Sequence, residues 1–153
     1  MCSLQIGINP GMYAAYKGHH YAGPGNHFCK YKEYENNKQG MHKPRWFYLL
    51  PAGKCMYLSG LIPQPMTADD DYKLLEFGIG FTNIVERTTR GSGNLTRKEI
   101  VCGTKVLIGK IKESKPRIAV FNGKGIYEIF SGKKDFHLGK QPEKIDGTDT
   151  VSE

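Results

Sequence analysis

A turn rich in glycine and proline follows the first apolar segment of the chain, residues 4–8. Its polar side chains include an amide, two imidazoles, a phenol and an ammonium group: Asn9, His19, His20, Tyr21 and Lys17. Glycine lets a backbone approach a ligand closely because it lacks a Cβ atom and adopts positive φ. Polar side chains on a loop after a strand are common at binding sites. An ordinary surface turn has the same composition, so the spacing alone leaves both interpretations open.

Asn9 is the residue in this turn that could hold a reacting water molecule. Its carbonyl oxygen can orient a water, and its NH₂ group can donate to a base or a phosphate. An amide is a weaker general base than a carboxylate, so an enzyme built on Asn9 would be slow and would depend on positioning. The alternative is that Asn9 only satisfies the turn geometry before Pro10.

The cluster of His19, His20, His27 and Cys29 raises the question of a metal site. Its spacing matches no zinc-binding pattern, so we expect no metal here. The four cysteines of the chain form no C-x-x-C pair, which indicates reduced thiols in an intracellular compartment.

The elements that must position these residues are predicted from apolar runs and helix signals. Three runs without polar alternation indicate strands buried on both faces, as in a parallel sheet: residues 4–8, 78–83 and 118–121. Thr96 and Glu99 form a capping-box pattern before a helix whose apolar residues share one face. A short helix is predicted at 123–131, ended by Gly132. Strand–helix alternation predicts an α/β fold, a parallel sheet flanked by helices.

The size and charge of the chain restrict its partners. Its 153 residues suit one domain, and a net charge of +7 with a pI near 9.2 favours an anionic partner, nucleic acid first. The sequence contains no apolar run long enough to cross a bilayer and no signal-peptide pattern. We therefore expect no membrane partner.

Three blocks of the sequence resemble the thymine-DNA glycosylase and mismatch-specific uracil-DNA glycosylase branch of the uracil-DNA glycosylase superfamily. They are residues 7–28, 78–89 and 116–124, and residues 54–61 and 126–130 also fit. The resemblance implies a uracil-DNA-glycosylase-like α/β domain. It also implies an enzyme of base-excision repair that hydrolyses the N-glycosidic bond of uracil or thymine mispaired with guanine.

The resemblance further implies individual roles. Asn9 would position the water with support from His20 and Thr89, and Tyr21 and Asn83 would bind the flipped base. Four residues would contact DNA phosphates: Lys17, Asn122, Gly123 and Lys124. The partner would be double-stranded DNA with a G·U or G·T mismatch, and the protein would act as a monomer in the nucleus without cofactor or metal. Without the resemblance, each of these side chains could equally have an ordinary structural role in a turn, a helix cap, the core or the surface.

Residues 29–53 interrupt the resemblance, because the family has a single tryptophan in their place. Codons for residues 29–31 can contain an intron donor sequence. Codons for residues 47–51 can form the pyrimidine tract of an intron, and codons for residues 52–53 can supply the AG that ends it. Excision would restore a tryptophan codon in frame. We therefore interpret this segment as a retained intron, and physically as an unstructured basic insertion.

The C-terminal end has a similar feature. Codons for residues 150–152 can contain a second donor sequence, so the glycosylase-like domain is expected over residues 1–150 and a non-family tail over 151–153. On this interpretation the sheet has three strands and lacks the family's fourth strand and the loop that wedges into DNA. The alternative function is a catalytically dead DNA-binding fragment, and we expect the chain as written to fold poorly and be nearly inactive.

Overall fold

A four-stranded parallel sheet forms the centre of the molecule, in a computed structural model that describes residues 1–23, 33–34, 44–45 and 56–153. The sheet strands are β1 (Ser3–Gly7), β4 (Ile79–Asn83), β5 (Ile118–Phe121) and β6 (Val151–Ser152). Their order is β4-β1-β5-β6, so β1 lies between the two other long strands. A separate antiparallel pair consists of β2 (Glu33–Tyr34) and β3 (Pro44–Arg45). The predicted parallel α/β architecture is confirmed.

Within the described residues, helices and 3₁₀ segments connect the strands. They include the helices α1 (Met12–Lys17), α2 (Arg97–Ser114) and α3 (Lys124–Ser131) and the 3₁₀ segments Ala68–Phe77 and Ser92–Asn94. The predicted capping box starts α2: the Glu99 N–H donates to the Thr96 hydroxyl at 3.2 Å, and the Thr96 N–H donates to the Glu99 carboxylate at 2.8 Å. Within the described part of the chain, none of the helices has the length and apolar character that crossing a membrane requires.

Apolar side chains cover both faces of the sheet. On one face Ile6 of β1 packs with Leu107 and Ile111 of α2, and all three are fully buried. The parallel register pairs Ser3 with Ile79, which places Ile79 on the other face, where a second cluster includes Met56, Ile62, Met66 and Leu74. Burial on both faces fits strands of mostly apolar residues, with Gln5 of β1 as a buried polar residue among them.

The prediction of three strands is wrong, because the supposed tail forms the fourth strand. Val151 and Ser152 pair with Ile118 and Ala119 of β5 in parallel register. Thr150 is buried just before the strand, and its hydroxyl donates to the Pro116 carbonyl at 2.6 Å. Two residues are too short for an apolar pattern, so this strand exists through its backbone pairing with β5.

Most of the proposed insertion falls outside the described residues. Residues 24–32, 35–43 and 46–55 are not described, and of residues 29–53 only β2 and β3 are, with Glu33 opposite Arg45. The interpretation as an unstructured retained intron therefore stays a prediction. Residues 56–58, which follow the proposed insertion, are helical.

Candidate active site

The carboxyl ends of β1, β4 and β5 open into a cleft with a volume of about 600 Å³. In an open parallel sheet, ligands bind at the carboxyl ends of the strands, at the point where the strand order reverses. Here β1 is that central strand, flanked by β4 and β5. The volume lies within the range of small-ligand pockets. Asn9, Asn83 and Asn122, which follow or end these three strands, all line the cleft.

The Asn9 amide is held by the segment after β4. Its Nδ2 donates to the Arg87 carbonyl at 3.0 Å and to the Thr89 hydroxyl at 2.7 Å. The Arg87 carbonyl can only accept, which fixes the nitrogen of the amide on that side. Arg87 is itself held, because its guanidinium pairs with Glu99 at the start of α2 and donates to the Asn94 carbonyl at 3.0 Å.

The Asn9 Oδ1 is consequently left for the cleft. No hydrogen bond to it is formed by residues 1–23 or 56–153, and no side-chain nitrogen or oxygen described there is both fully buried and unpaired. The oxygen is therefore in contact with solvent at the cleft. Thr89 is buried and does not line the cleft, so it contacts Asn9 and no space that a ligand could fill.

Asn83 presents a second amide to the cleft. It is half-buried at the end of β4, and its side chain makes no hydrogen bond within the described part of the chain. Gly7 makes room for it, because a Cβ atom at position 7 would lie 2.5 Å from the Asn83 Oδ1. The amide is thus free to pair with a ligand through both its donor and its acceptor.

Three rings form one wall of the cleft. The His20 imidazole stacks on Phe81 with centroids 5.5 Å apart and planes at 22°, and Tyr21 meets Phe81 edge-on at 5.7 Å. Burial lowers the pKa of His20 from its ordinary value, with Asp71 opposing the change and His19 adding to it. His20 is therefore neutral at pH 7.

Asn122 holds the phenol of Tyr21. Its Nδ2 donates to the Tyr21 hydroxyl, and its backbone N–H donates to the Ile6 carbonyl at 3.0 Å. Burial raises the pKa of Tyr21 to about 12, partly offset by this hydrogen bond. Tyr21 has a left-handed backbone with φ of 58°, which few residues other than glycine adopt.

The remaining predicted phosphate contacts lie around the cleft without lining it. Lys17 is exposed at the end of α1, with its ammonium 6.0 Å from the Tyr13 ring centre. Gly123 caps the start of α3, and the exposed Lys124 lies 3.7 Å from the Glu128 carboxylate. Their role toward DNA stays a prediction.

Several cleft residues were missed by sequence reasoning. Phe81 and Glu86 belong to the block that carries the resemblance, but their side chains were assigned no role there. Lys110 lies on α2, and its ammonium pairs with the Glu86 carboxylate at 2.8 Å across the cleft rim. Asp71 does not line the cleft, and it contacts both histidines from the 3₁₀ segment Ala68–Phe77, which lies in none of the matching blocks. The register of β4 against β1 and the packing of α2 bring Phe81, Glu86 and Lys110 to the cleft.

The zinc alternative is only partly within the described residues. Among residues 1–23 and 56–153, no three histidine, cysteine or acidic side chains come together as metal ligands. His27 and Cys29 lie outside the described residues.

The matches to known proteins include a family profile and a curated relative. The sequence profile of the Uracil DNA glycosylase superfamily matches residues 3–151. The chain is also 30% identical over 151 residues to a G/U mismatch-specific uracil DNA glycosylase from Schizosaccharomyces pombe, covering 94% of this chain. It spans 40% of the length of that relative.

Proposed function

Since the chain belongs to the Uracil DNA glycosylase superfamily, we propose that it removes uracil, and thymine, mispaired with guanine in duplex DNA. The reaction is hydrolysis of the N-glycosidic bond, the first step of base-excision repair. The G·U part of this proposal is supported by the relative named for that mismatch. The G·T part, the monomeric state and the nuclear location belong to the same proposal.

The observation that carries the proposal is the orientation of Asn9. Both hydrogens of its amide are engaged by Arg87 and Thr89, and its Oδ1 is left in contact with the cleft. This oxygen can accept a hydrogen bond from a water and direct the water's lone pair at the sugar carbon. An amide is too weak a base to deprotonate the water before it attacks, so the water adds to a sugar that already has oxocarbenium character.

The other cleft residues suit a flipped pyrimidine. The rings of His20, Tyr21 and Phe81 line one wall of the cleft with aromatic surface against which a base can pack, and the Asn83 amide can donate to one edge atom of the base and accept from another. Neutral His20 adds no charge repulsion near the sugar cation. A net charge of +7 favours association with the DNA backbone.

The test is uracil release from a G·U duplex, read as strand scission after alkali. We expect scission at the uracil by the intact chain, and a loss of about a hundredfold or more in Asn9→Ala, since the water then has no acceptor. Asn94→Ala is the matched control, because Asn94 is exposed and does not line the cleft. Equal release by Asn9→Ala and the intact chain would refute the role of Asn9.

Measurements of duplex binding decide the alternative of a DNA-binding fragment without turnover. Such a fragment would bind G·U and G·C duplexes equally, and both affinities would fall together with salt, because phosphate contacts are blind to sequence. A preference of about tenfold for G·U, roughly 1.4 kcal/mol, would indicate a working base pocket.

A further inference from the structure

Asp71 connects two neighbouring histidines beside the cleft. Its Oδ1 lies 3.0 Å from the His19 Nδ1, and its Oδ2 accepts the backbone N–H of His20 at 2.8 Å. The Asp71 side chain is only 14% exposed, so both interactions are shielded from water. Asp71 is 51 positions from His20 in sequence, so this contact ties the turn to a distant element.

The segment that carries Asp71 is itself well fixed. A capping box starts it, in which the Thr67 N–H donates to the Asp70 carboxylate at 3.0 Å. Leu74 in the same 3₁₀ segment is buried in the cluster beneath β4. Asp71 therefore projects from an element anchored at its start and in its middle.

The turn that it contacts needs such support. Gly18 caps the end of α1 with φ of 75°, and Tyr21, three residues later, has φ of 58°. A tyrosine in the left-handed region is strained, so the surrounding structure has to hold it there. His20 lies between these two residues, and its N–H is bound by a carboxylate rather than by a backbone carbonyl.

We propose that Asp71 is a positioning residue of the cleft, which holds the turn so that the His20 and Tyr21 rings face the flipped base. It does not line the cleft and acts through these two residues. This inference rests on the proposed function, and it adds a residue to which no motif assigns a role. The expected consequence is that removing Asp71 impairs the reaction more than DNA binding.

The groups around His20 define the controls. Among the described residues, Asp71 of the 3₁₀ segment and His19 and Tyr21 of the same turn are its titratable neighbours, and Asp69 lies one step further away, beside His19. Across the cleft lie Glu86 and Lys110, which pair with each other. Asp69 is 71% exposed and lies 3.8 Å from the His19 Nε2. Asp69→Asn therefore removes an adjacent carboxylate charge without touching the His20 N–H.

The experiment compares Asp71→Ala, Asp71→Asn and Asp69→Asn with the intact chain. Single-turnover uracil release should fall about tenfold or more in Asp71→Ala, the size of a lost charge-assisted hydrogen bond, with duplex affinity changed less than about threefold. Asp71→Asn keeps an oxygen for the His20 N–H and should recover part of the rate. Asp69→Asn should match the intact chain.

An NMR titration of the His20 ring gives a readout that does not need activity. Loss of the Asp71 charge should lower the His20 pKa further in both Asp71 variants, and Asp69→Asn should leave it unchanged, because Asp71 is the group that opposes the effect of burial. Unchanged His20 and Tyr21 resonances in Asp71→Ala, or full uracil release by the same variant, would overturn the proposal. If the intact chain releases no uracil, the proposed function fails and the titration still decides the role of Asp71.

Discussion

Asn9 and Thr89 lie 80 positions apart in the sequence, and the Asn9 Nδ2 donates to the Thr89 Oγ1 over 2.7 Å. The Thr89 hydroxyl donates to the Gly91 carbonyl at 2.9 Å, and the Thr89 N–H donates to the Pro10 carbonyl at 3.3 Å. A buried hydroxyl with both functions engaged can point in one way only. The direction of the Asn9 Oδ1 into the cleft is therefore set by a residue that no ligand touches.

Removing the Thr89 hydroxyl should affect both stability and the reaction. We expect Thr89→Val to lose about 1–3 kcal/mol of unfolding free energy, because the Gly91 carbonyl and the Asn9 amide lose a buried partner. Uracil release should fall about tenfold, while Thr89→Ser keeps the hydroxyl and both properties. Chemical denaturation and single-turnover assays measure the two effects. A Val variant as active as the intact chain would contradict this account of Asn9.

Asn83 should matter for the base and not for folding. Its amide has no hydrogen bond to lose among the described residues, so Asn83→Asp should change unfolding free energy by no more than about 0.5 kcal/mol. The carboxylate cannot donate to a pyrimidine edge, and we expect uracil release to drop by more than about tenfold. Asn94→Asp is the control for the added charge. Comparable activity of the two variants would argue against base recognition by Asn83.

Tyr21 should make stability depend on pH in the alkaline range. Burial raises its pKa to about 12 from 10.0, so the folded state keeps the phenol proton where the unfolded state has lost it. Its contribution to stability is complete below about pH 10 and is lost as the pH rises toward about 12. Tyr21→Phe should therefore lose less stability than the intact chain over this window. Tyr16→Phe, at an exposed position, should follow the intact chain, and the prediction fails if all three curves run parallel.

Two glycines of α2 should respond in opposite directions to the same substitution. A Cβ atom at Gly103 would collide with the Ile84 carbonyl, whereas one at Gly109 would meet nothing within 4 Å. Gly109→Ala should stabilise the protein by about 0.5–1 kcal/mol through helix propensity. Gly103→Ala should destabilise it by about 1–3 kcal/mol, because α2 must move off the end of β4. Thermal unfolding of both variants measures this, and a shift of the same sign in both would disprove the close contact.

Replacing residues 29–53 by a single tryptophan tests the interpretation of this segment. If a tryptophan belongs in the core there, the replaced chain should be more stable than the chain as written by up to about 3–5 kcal/mol, and more active. The length of a loop by itself contributes little, since closure entropy grows slowly with length. The same replacement with alanine separates the effect of the tryptophan from that of the deletion. Equal melting and equal uracil release by the original and the tryptophan chain would show the interpretation to be wrong.

The sequence alone determined the class of fold and the placement of polar residues at the carboxyl ends of the strands. Apolar runs predicted strands buried on both faces. The Thr96–Glu99 capping box predicted where α2 begins, and Gly132 predicted where α3 ends. These features depend on residues close in sequence, which is why they could be read from it. Parallel strands also place Asn9, Asn83 and Asn122 at one edge of the sheet, so their meeting in one cleft follows from the strand assignment.

Only the tertiary structure decided how these side chains are held. The contacts that hold them join residues 51 or more positions apart: Asn9 with Arg87 and Thr89, Asp71 with His20, and His20 with Phe81. Strand register and helix packing create such contacts, and no local pattern encodes them. The same reason explains the missed strand β6: two residues carry no apolar period, and they become a strand because β5 offers unpaired backbone groups beside them.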